Sequence, residues 1–553
     1  MATAIMDRAA QMFPQLTPAQ IERISSIGHR LDVHAGDVLF DVGDQNTRFF
    51  VVVSGAIDVV RVIGDREERV TVHHPGEFSG EINMLSARRS LVRGRTASDG
   101  VVIAVDRDDL RTLVQRDSEL SEILMRAFIL RRTALMSQDN NDMVLLGSRH
   151  SGTTQHIREF LSRNGQPFTY QDDETDPSVQ VLLDQFHVGV NDVPVIVCRG
   201  GHILKNPSIE VLSSQLGLSA ELDPKDVRDV VIVGAGPAGL AAAVYGASEG
   251  LHVLVLESTA PGGQAGTSSR IENYLGFPTG ISGQALSARA LSQAEKFGAE
   301  VAIGRTAVRL DCDSRPYRLH LSDGQVLRTR TIVIASGAKY RRLDLPSLAR
   351  FEGAGVYYSA THLEGQLCGG EEIAVVGGGN SAGQAAVFLA TVATHVHVLV
   401  RGRGLAESMS RYLIQRIENT PNVTLRARTQ IETLEGNDGL ERIGWRHLDS
   451  GERETRGIRN LFLMTGADPN TGWLEGCVLL DDKKFVKTGA DLLPEDLATA
   501  KWPLPRRPYL METSIPGVFC VGDARSTSVK RVASAVGEGS ICIQLVHRAL
   551  AEL

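Results

Sequence analysis

Cysteine is scarce in this sequence and never paired along the chain. Six cysteines stand at positions 198, 312, 368, 477, 520 and 542 of 553 residues, none within CxxC or zinc-ligand spacing of another. A local dithiol motif and a sequence-local metal site are therefore excluded. The opening MATAIMDRAAQMFPQL lacks a basic segment followed by a continuous apolar run, so no export signal is read. Scattered cysteines without an export signal are expected to be reduced thiols in a cytoplasm. Long hydrophobic runs are lacking too. The most apolar stretch, Val230 to Leu256, is broken by glycines, Pro237, Glu249 and His252, which suits a buried α/β unit and not a membrane span. Nor is positive charge in excess. A formal net charge of −8 argues against nucleic acid as an obligate partner, while leaving room for a small anion in a local basic pocket.

What is present divides into segments, as expected of a chain too long for one core; about three or four domains is the prior. Residues 1–137 open with a helical TPAQIERI (Thr17 to Ile27). Alternating runs follow, DVLFDVG, RFFVVVSGAIDVVRV and ERVTVHHPGEF, punctuated by glycines at 36, 43, 55, 64 and 76. That pattern predicts an antiparallel β-roll. From Arg107 to about Gln138 the period turns helical, with Asp106 as the expected N-cap. After a polar break, SQDNND, residues 143–220 read β-α-β-α-β: MVLLG, SGTTQHIREFLSRNG, PFTYQDD, DPSVQVLLDQF and VPVIVCRGG. From residue 228 the chain reads as doubly wound α/β with two dinucleotide signals.

The first signal, RDVVIVGAGPAGLAAAVYGASEGLHVLVLES, is a strand, a GxGxxG turn (Gly234, Gly236, Gly239), a small-residue helix and a second strand ending at Glu257. The glycines let backbone approach a pyrophosphate, the helix N-terminus stabilises its charge, and Glu257 stands where a ribose diol would be held. The second, EEIAVVGGGNSAGQAAVFLATVATHVHVLVRGRG, repeats the plan with Gly377, Gly379 and Ala382. Its second strand ends in Arg401 and Arg403, with no carboxylate to repel a 2′-phosphate. The first site suits FAD and the second NADPH; a solvated arginine loop is the competing reading of the second.

The stretches APGGQAGTSSRIENYLGFPTGISGQALSARALSQAEKFGAE, TIVIASGAKYRRLDLP and IPGVFCVGDARSTSVKRVASAVGEGSI carry a close resemblance to low-molecular-weight bacterial thioredoxin reductases. The resemblance implies an FAD-binding domain in two parts, 228–342 and 466–553, interrupted by an NAD(P)H-binding domain, 343–465, in a homodimer. It implies that Gly263, Gln264 and Asn273 face the flavin and that Asp523 holds the ribitol chain. Lys530, Arg531 and Val532 would open a helix whose positive end stabilises charge on reduced flavin. In such reductases a Cys-Ala-Thr-Cys pair does the thiol chemistry. Here the same positions, within YYSATHLEG, read Ser359-Ala360-Thr361-His362. Serine forms no disulfide, so the usual relay to thioredoxin is cut. His362 reads either as a proton carrier beside the flavin or as a surface remnant, and Ser359 stands at a former cysteine position. Cys368, Cys520 and Cys542 read as core thiols.

GVNDVPVIVCRGGHIL makes 143–220 resemble a glutaredoxin or thioredoxin fold, with Val193-Pro194 as its cis peptide. The expected CxxC falls on Ser151-Gly152-Thr153-Thr154, again without thiols. An architectural bridge and a glutathione-like site beside Pro194 both remain. PGEFSGEINMLSARRSLVRGRTASDGVVIAVDRDDLRTLV resembles the phosphate cassette and exit helix of cyclic-nucleotide-binding domains. Gly80 and Glu81 fit the amide and ribose roles. The phosphate arginine falls on Ser90 in ungapped register and on Arg89 after a one-residue adjustment. The module is either a cyclic nucleotide sensor or a degenerate docking unit.

The sequence thus implies a cytoplasmic FAD-dependent NADPH oxidoreductase, similar to thioredoxin reductase but without its cysteine pair. Its acceptor is unknown and its partners include neither nucleic acid nor membrane. A redox sensor with little turnover is the alternative, and electron entry from a protein donor a lesser one.

Overall fold

The computed structural model describes residues 11–44, 47–63, 66–80, 83–86, 89–90, 92–136, 143–148, 151–172, 192–198, 202–220, 222–437 and 439–552. The N-terminal module is an antiparallel five-stranded roll. Phe49–Ile63 pairs with Arg66–His73 on one side and Arg93–Val105 on the other, and Arg93–Val105 also pairs with His29–Val33 and Val38–Phe40. Helix α1 (Pro18–Ser25) starts in a capping box made by Thr17 and Gln20. A short helix α2 (Asn83–Ser86) sits in the cassette segment. The helical run expected from Arg107 onward is two helices, α3 (Arg107–Arg116) and α4 (Ser118–Met136). The break is at Asp117, extended in backbone, whose carboxylate accepts from the Leu120 N–H at 3.0 Å and so starts a new helix. Asp106 does precede α3, but its carboxylate binds Arg48 Nε at 2.8 Å and caps nothing. The module's core closes on Phe49, Phe78 and Phe128, with ring centroids 5.6 to 6.1 Å apart.

The second module is a four-stranded sheet. Val144–Leu146 runs parallel to Thr169–Gln171 and antiparallel to Val195–Val197, which pairs with Ile203–Lys205. Helices α5 (Gly152–Arg163) and α6 (Ile209–Gln215) accompany it, and the Val193–Pro194 peptide is cis. The helix expected in DPSVQVLLDQF lies outside the described residues.

The third region holds two α/β domains. In the first, parallel strands Glu300–Ile303, Val253–Glu257, Val227–Val233 and Val326–Ile334 lie side by side. The last strand also takes Val518–Cys520 in parallel and the antiparallel strand Tyr317–Leu321, which pairs with Ala307–Asp311. Helices α7 (Pro237–Ser248), α8 (Gly263–Gly266) and α9 (Gly283–Lys296) belong to this domain. In the second domain, five parallel strands run in the order Val356–Tyr357, Asn460–Leu463, Glu372–Val376, His395–Leu399 and Val423–Arg426, beside a three-stranded antiparallel sheet. It carries α10 (His362–Leu367), α11 (Asn380–Leu389) and α12 (Arg411–Glu418). The chain crosses between the domains on an antiparallel pair, Ala338–Tyr340 with Ala467–Pro469, where Arg341 and Asp468 form an ion pair at 2.8 Å. The C-terminal helix α13 (Val532–Glu552) returns to pack on α7.

The cysteine expectation is corrected here. Cys312 and Cys477 form a disulfide, their Cα atoms 5.8 Å apart, while Cys198, Cys368, Cys520 and Cys542 are free. A separation of 165 residues hides such a pair from any spacing argument.

The second module shares its core with the first α/β domain. Leu145, Ile157, Phe160 and Leu161 join Val230, Ile232, Leu240 and Ala243 in one buried cluster. At its edge Asn164 Nδ2 donates to the Thr259 carbonyl at 3.0 Å and Arg163 Nη2 to the Gly263 carbonyl at 2.9 Å. A shared core predicts shared unfolding. Phe160→Ala, at a fully buried ring, is expected to cost about 3–5 kcal/mol and to lower the urea midpoint of both units in one transition. An early loss confined to the second module would show two independent cores.

Candidate functional site

Each dinucleotide signal folds as strand, turn and helix, and the glycines divide the work the same way twice. Gly234 has φ +108°, and a Cβ there would stand 2.3 Å from the Ala335 carbonyl oxygen; Gly377 has φ +145°, with the Met464 carbonyl oxygen at 2.3 Å. Neither position tolerates a side chain. A Cβ on Gly239 would lie 1.9 Å from the Gly234 oxygen, which sets how closely α7 meets the turn. At the corresponding place the second unit carries Ala382, fully buried. By contrast, a Cβ on Gly236 or Gly379 would meet nothing within 4 Å. Those two glycines cap α7 and α11 and leave open space over the helix N-termini, where a pyrophosphate fits.

Glu257 ends the second strand and its carboxylate braces the turn. It accepts from the N–H groups of Ala235 (2.8 Å), Thr259 (2.9 Å) and Ala260 (3.1 Å). In the second unit Arg401 and Arg403 stand exposed just past the strand His395–Leu399. The expectation that no carboxylate is near them is corrected: Asp449 lies in the field of Arg403. It is neutralised by Arg428, whose Nη2 is 2.5 Å away and whose hydrogen bond holds the Asp449 carboxyl below its ordinary range. With Asp449 paired to Arg428, its charge is not left uncompensated beside Arg403.

A cavity of about 1510 Å³ opens from the first turn toward the second domain. Gly236, Glu257, Gln264 and Asn273 line it, as do Asp523 and Lys530 to Val532 at the start of α13. Gln264 Nε2 donates to the Ala338 carbonyl. Burial pushes the Asp523 carboxyl above its ordinary range, and no hydrogen bond reaches that carboxyl among the described residues. A half-buried carboxylate without a hydrogen-bond donor, in the field of Lys530 and beside an open glycine turn, is what a hydroxyl-bearing dinucleotide would satisfy. Lys530 Nζ donates to the Asp523 carbonyl at 2.6 Å and lies 4.5 Å from the Phe485 ring centroid; burial lowers its pKa.

Segment 356–364 forms the opposite wall. Ala360 bridges to Ser268, next to α8, so Ser359 faces the cavity. Glu364, which the sequence reading passed over, also lines it. Its carboxylate accepts from the Thr361 N–H at 2.7 Å, from the Thr361 hydroxyl, and from Ser359 Oγ at 3.3 Å. Burial pushes the Glu364 carboxyl up. The Thr-x-x-Glu spacing at 361–364 was the available signal. The backbone of His362 opens α10, but its side chain lies outside the described residues. Burial pushes the Cys368 thiol up to about 12, and Sγ donates to the Glu364 carbonyl at 3.0 Å, so Cys368 is structural. Among the described residues no cysteine lines the cavity. The first turn of α11, with Asn380, Ser381 and Gln384, reaches the same space, as do Gln155, Arg158 and Glu159 of α5.

In the N-terminal module Gly80 has φ +107°, and its carbonyl accepts from Arg131 Nη1 at 3.0 Å. Arg131, another residue the sequence reading missed, lies on α4 between the rings of Phe13 and Phe78. Burial lowers its pKa to about 9. Glu81 lies outside the described residues. Arg89 leaves the cassette: Nη1 donates to the Gln215 carbonyl at the end of α6, 3.2 Å away. Helix α2 packs on α9, and Gln115 Nε2 donates to the Lys296 carbonyl at 3.3 Å.

Two glycine turns, an acid-ended and an arginine-ended strand, and one cavity between two α/β domains define an oxidoreductase of the two-dinucleotide class. The chain belongs to the pyridine nucleotide-disulphide oxidoreductase family, which it matches over residues 228–539, more than half its length. Residues 30–117 match the cyclic nucleotide-binding domain. Over 369 residues the chain is 32% identical to NADPH-dependent thioredoxin reductase 3 of Arabidopsis thaliana, covering 64% of this chain and 65% of that protein. It is 30% identical over 322 residues to an NADH dehydrogenase of Bacillus subtilis, covering 58% of each. The solved thioredoxin reductase of Lactococcus lactis (FR conformation) superposes with TM-score 0.53 at 28% identity, over 59% of this chain and 100% of that one. The chain therefore spans under two thirds of the two curated relatives. Among the described residues no helix is long and apolar enough to cross a membrane.

The glycine geometry separates folding from binding. Gly236→Ala is expected to keep the thermal stability of the flavin-free protein within about 0.5 kcal/mol and to purify with much less flavin. Gly239→Ala is expected to lose both, checked by visible absorbance and thermal unfolding.

Proposed function

We propose that this protein is an FAD-dependent NADPH oxidoreductase that hands electrons onward without a cysteine pair, under control of its N-terminal module. The observation that carries the reading is the composition of the cavity. Dinucleotide-holding groups stand on one side and Ser359, Glu364 and the first turn of α11 on the other, with no thiol between. Bound FAD supplies two-electron exchange between a reduced nicotinamide and an acceptor. The chain's own residues do the rest. Gly236 leaves room for the pyrophosphate over α7, Asp523 accepts ribitol hydroxyls, and Gln264 and Asn273 flank the ring. The positive end of α13, with Lys530, Arg531 and Val532, stabilises negative charge on the reduced ring. Gly377, Gly379 and Ala382 hold NADPH, and Arg401 and Arg403 bind its 2′-phosphate. Burial raises the proton affinity of the Glu364 carboxyl at the cavity wall, which suits it to exchange a proton there.

Residues 143–220 are read as a thioredoxin-like unit serving as a bridge, since its core is continuous with the flavin domain and its first helix begins Ser151-Gly152-Thr153-Thr154. We read the N-terminal module as a cyclic nucleotide sensor with Gly80, Glu81 and Arg89 as ligand residues. Arg89 now holds the Gln215 carbonyl, so a bound phosphate would compete for it. The packing of α2 on α9 favours control over a passive tether. A cytoplasmic homodimer is the setting the resemblance suggests.

The reading is tested by anaerobic titration. NADPH is expected to bleach the flavin at lower concentration than NADH. The Arg401→Ala, Arg403→Ala double variant should raise the NADPH requirement about tenfold or more, the loss of charge-assisted hydrogen bonds, and leave NADH unchanged. Stoichiometric bleaching with no turnover on any acceptor would favour the sensor instead. For the regulatory part, cyclic AMP is expected to change the NADPH oxidation rate of the parent protein and not of Arg89→Ala. A parent enzyme indifferent to cyclic nucleotides would remove that part.

A further inference from the structure

The Cys312–Cys477 disulfide stands off the cavity, at the far ends of two elements that begin on its wall. Cys312 follows the strand Ala307–Asp311, and Cys477 follows the short helical turn Gly472–Leu474. Strand and turn pack on each other. Arg305, Thr306 and Ala307 line the cavity at the head of the strand, and Thr471, Gly472 and Trp473 at the head of the turn. Hydrogen bonds carry the tie back along the turn. The Cys477 N–H donates to the Leu474 carbonyl at 3.0 Å, and the Leu474 N–H to the Thr471 carbonyl at 2.9 Å. Leu310, Leu474 and Val478 back the pair with buried side chains. The 165 residues between the two cysteines enclose the whole second α/β domain. The bond therefore joins the two separate parts of the first α/β domain across the insertion. Apart from it, the returning segment is held by single hydrogen bonds, such as the Asn470 N–H on the Gly337 carbonyl at 3.0 Å and the Ser336 hydroxyl on the Asn470 carbonyl at 2.8 Å.

The pair also differs from the other cysteines in access. Cys312 and Cys477 are half-buried, whereas Cys368, Cys520 and Cys542 are fully buried and burial pushes their thiols up. Cys198 is half-buried but has no cysteine partner. In the cytoplasmic setting read above, small thiols exchange with accessible disulfides, and a protein disulfide there is as a rule transient or redox-sensing. We propose that Cys312–Cys477 is a reversible redox clamp on the flavin site: oxidised, it holds strand and turn together at the cavity wall, and reduced, it lets flavin leave faster. The inference rests on the FAD reading above and gives that site a thiol-controlled state. The exchange balances within sulfur. One small-molecule thiolate attacks the bond, forms a mixed disulfide and frees one cysteine; a second thiol resolves it and frees the other. Two external thiols are oxidised to one disulfide, the Cys312–Cys477 bond takes the two electrons, and two protons end on the freed sulfurs.

The test uses the full-length, flavin-loaded protein oxidised with glutathione disulfide. Alkylation with iodoacetamide in denaturant is expected to mark four cysteines and leave Cys312 and Cys477 linked, and to mark all six after dithiothreitol. Flavin release on dilution, followed by its fluorescence, should run about tenfold faster in the reduced parent, a modest share of what a cross-link of this span contributes. Restoring the bond with glutathione disulfide should restore the slow rate. Cys477→Ser should release flavin at the reduced rate with or without dithiothreitol, which separates the bond from any action of the reagent on flavin. Cys198→Ser should respond as the parent does. Should Cys477→Ser fail to fold, the parent reduced and alkylated under native conditions takes its place. Six alkylated cysteines in the oxidised protein, or equal flavin release before and after reduction, would overturn the proposal. A parent that holds no flavin would sink the FAD reading instead. The clamp is then judged on the thermal midpoint, which should fall by about 5 °C on reduction; an unmoved midpoint would end it.

Discussion

The site depends on the seam between the second module and the first α/β domain. Ile157, Phe160 and Leu161 project from one face of α5 into a cluster that contains Val230 and Ile232 of the central strand and Leu240 of α7. Three large side chains buried there contribute roughly 1.5–3 kcal/mol each, more than any single surface contact. The same helix carries Gln155, Arg158 and Glu159 toward the cavity. Helical period makes this unavoidable: positions 157, 160 and 161 face one way, and 155, 158 and 159 lie on the adjoining stripe. The second module on a loose tether would leave the cavity without the residues that α5 brings to its wall.

Two buried carboxylates of the first α/β domain, Glu512 and Glu538, are paired with arginines away from the cavity. Glu538 of α13 accepts from the Gly522 N–H at 2.7 Å and pairs with Arg525 at 2.7 Å. Glu512, fully buried, takes Arg506 at 2.6 Å and the N–H groups of Tyr509 and Gly517 at 2.9 Å. Buried acids with this many donors are satisfied and inert. Asp523 differs in having no hydrogen bond to its carboxyl among the described residues, and Glu364 of the second α/β domain in having neutral donors only, from Thr361 and Ser359. Both line the cavity, and burial pushes both above the ordinary carboxylate range. Groups held that way at a cavity wall are where proton and hydroxyl chemistry is expected.

What could be read from the sequence was local. The glycine turns at 234–239 and 377–382, the roll and the strand-ending Glu257 each follow from periodicity plus a few small residues, and the folded chain shows why. Gly234 and Gly239 meet a carbonyl oxygen too closely for a Cβ. What escaped was long-range or decided by competition. Asp117 splits a run that looks continuous because its side chain outbids the helix for the Leu120 N–H. Asp449 approaches Arg403 only after a β-hairpin folds back. The Cys312–Cys477 pair spans two distant loops. Arg89 stands within one position of the expected phosphate arginine, yet its guanidinium reaches a carbonyl of another module. Glu364 was legible as a capping residue and illegible as an acid, because only burial changes its proton affinity.

The route from the N-terminal module to the flavin cavity is short and has little slack. Helix α2, in the cassette, packs on α9. Helix α9 begins at Gly283, where a Cβ would lie 1.8 Å from the Ala265 carbonyl oxygen of α8. Ser287 Oγ on α9 would stand 2.0 Å from a Cβ on Gly262, at the start of α8. Helix α8 carries Gly263 and Gln264 into the cavity. A shift of α9 by even a few tenths of an ångström must therefore move α8 or be refused by it, since close-packed elements do not compress. Under the regulatory reading, a nucleotide can bias the cavity only by as much as it prefers one placement of α2 over another. A tenfold preference is worth about 1.4 kcal/mol, comparable to the single Arg89–Gln215 hydrogen bond that such a ligand would have to displace.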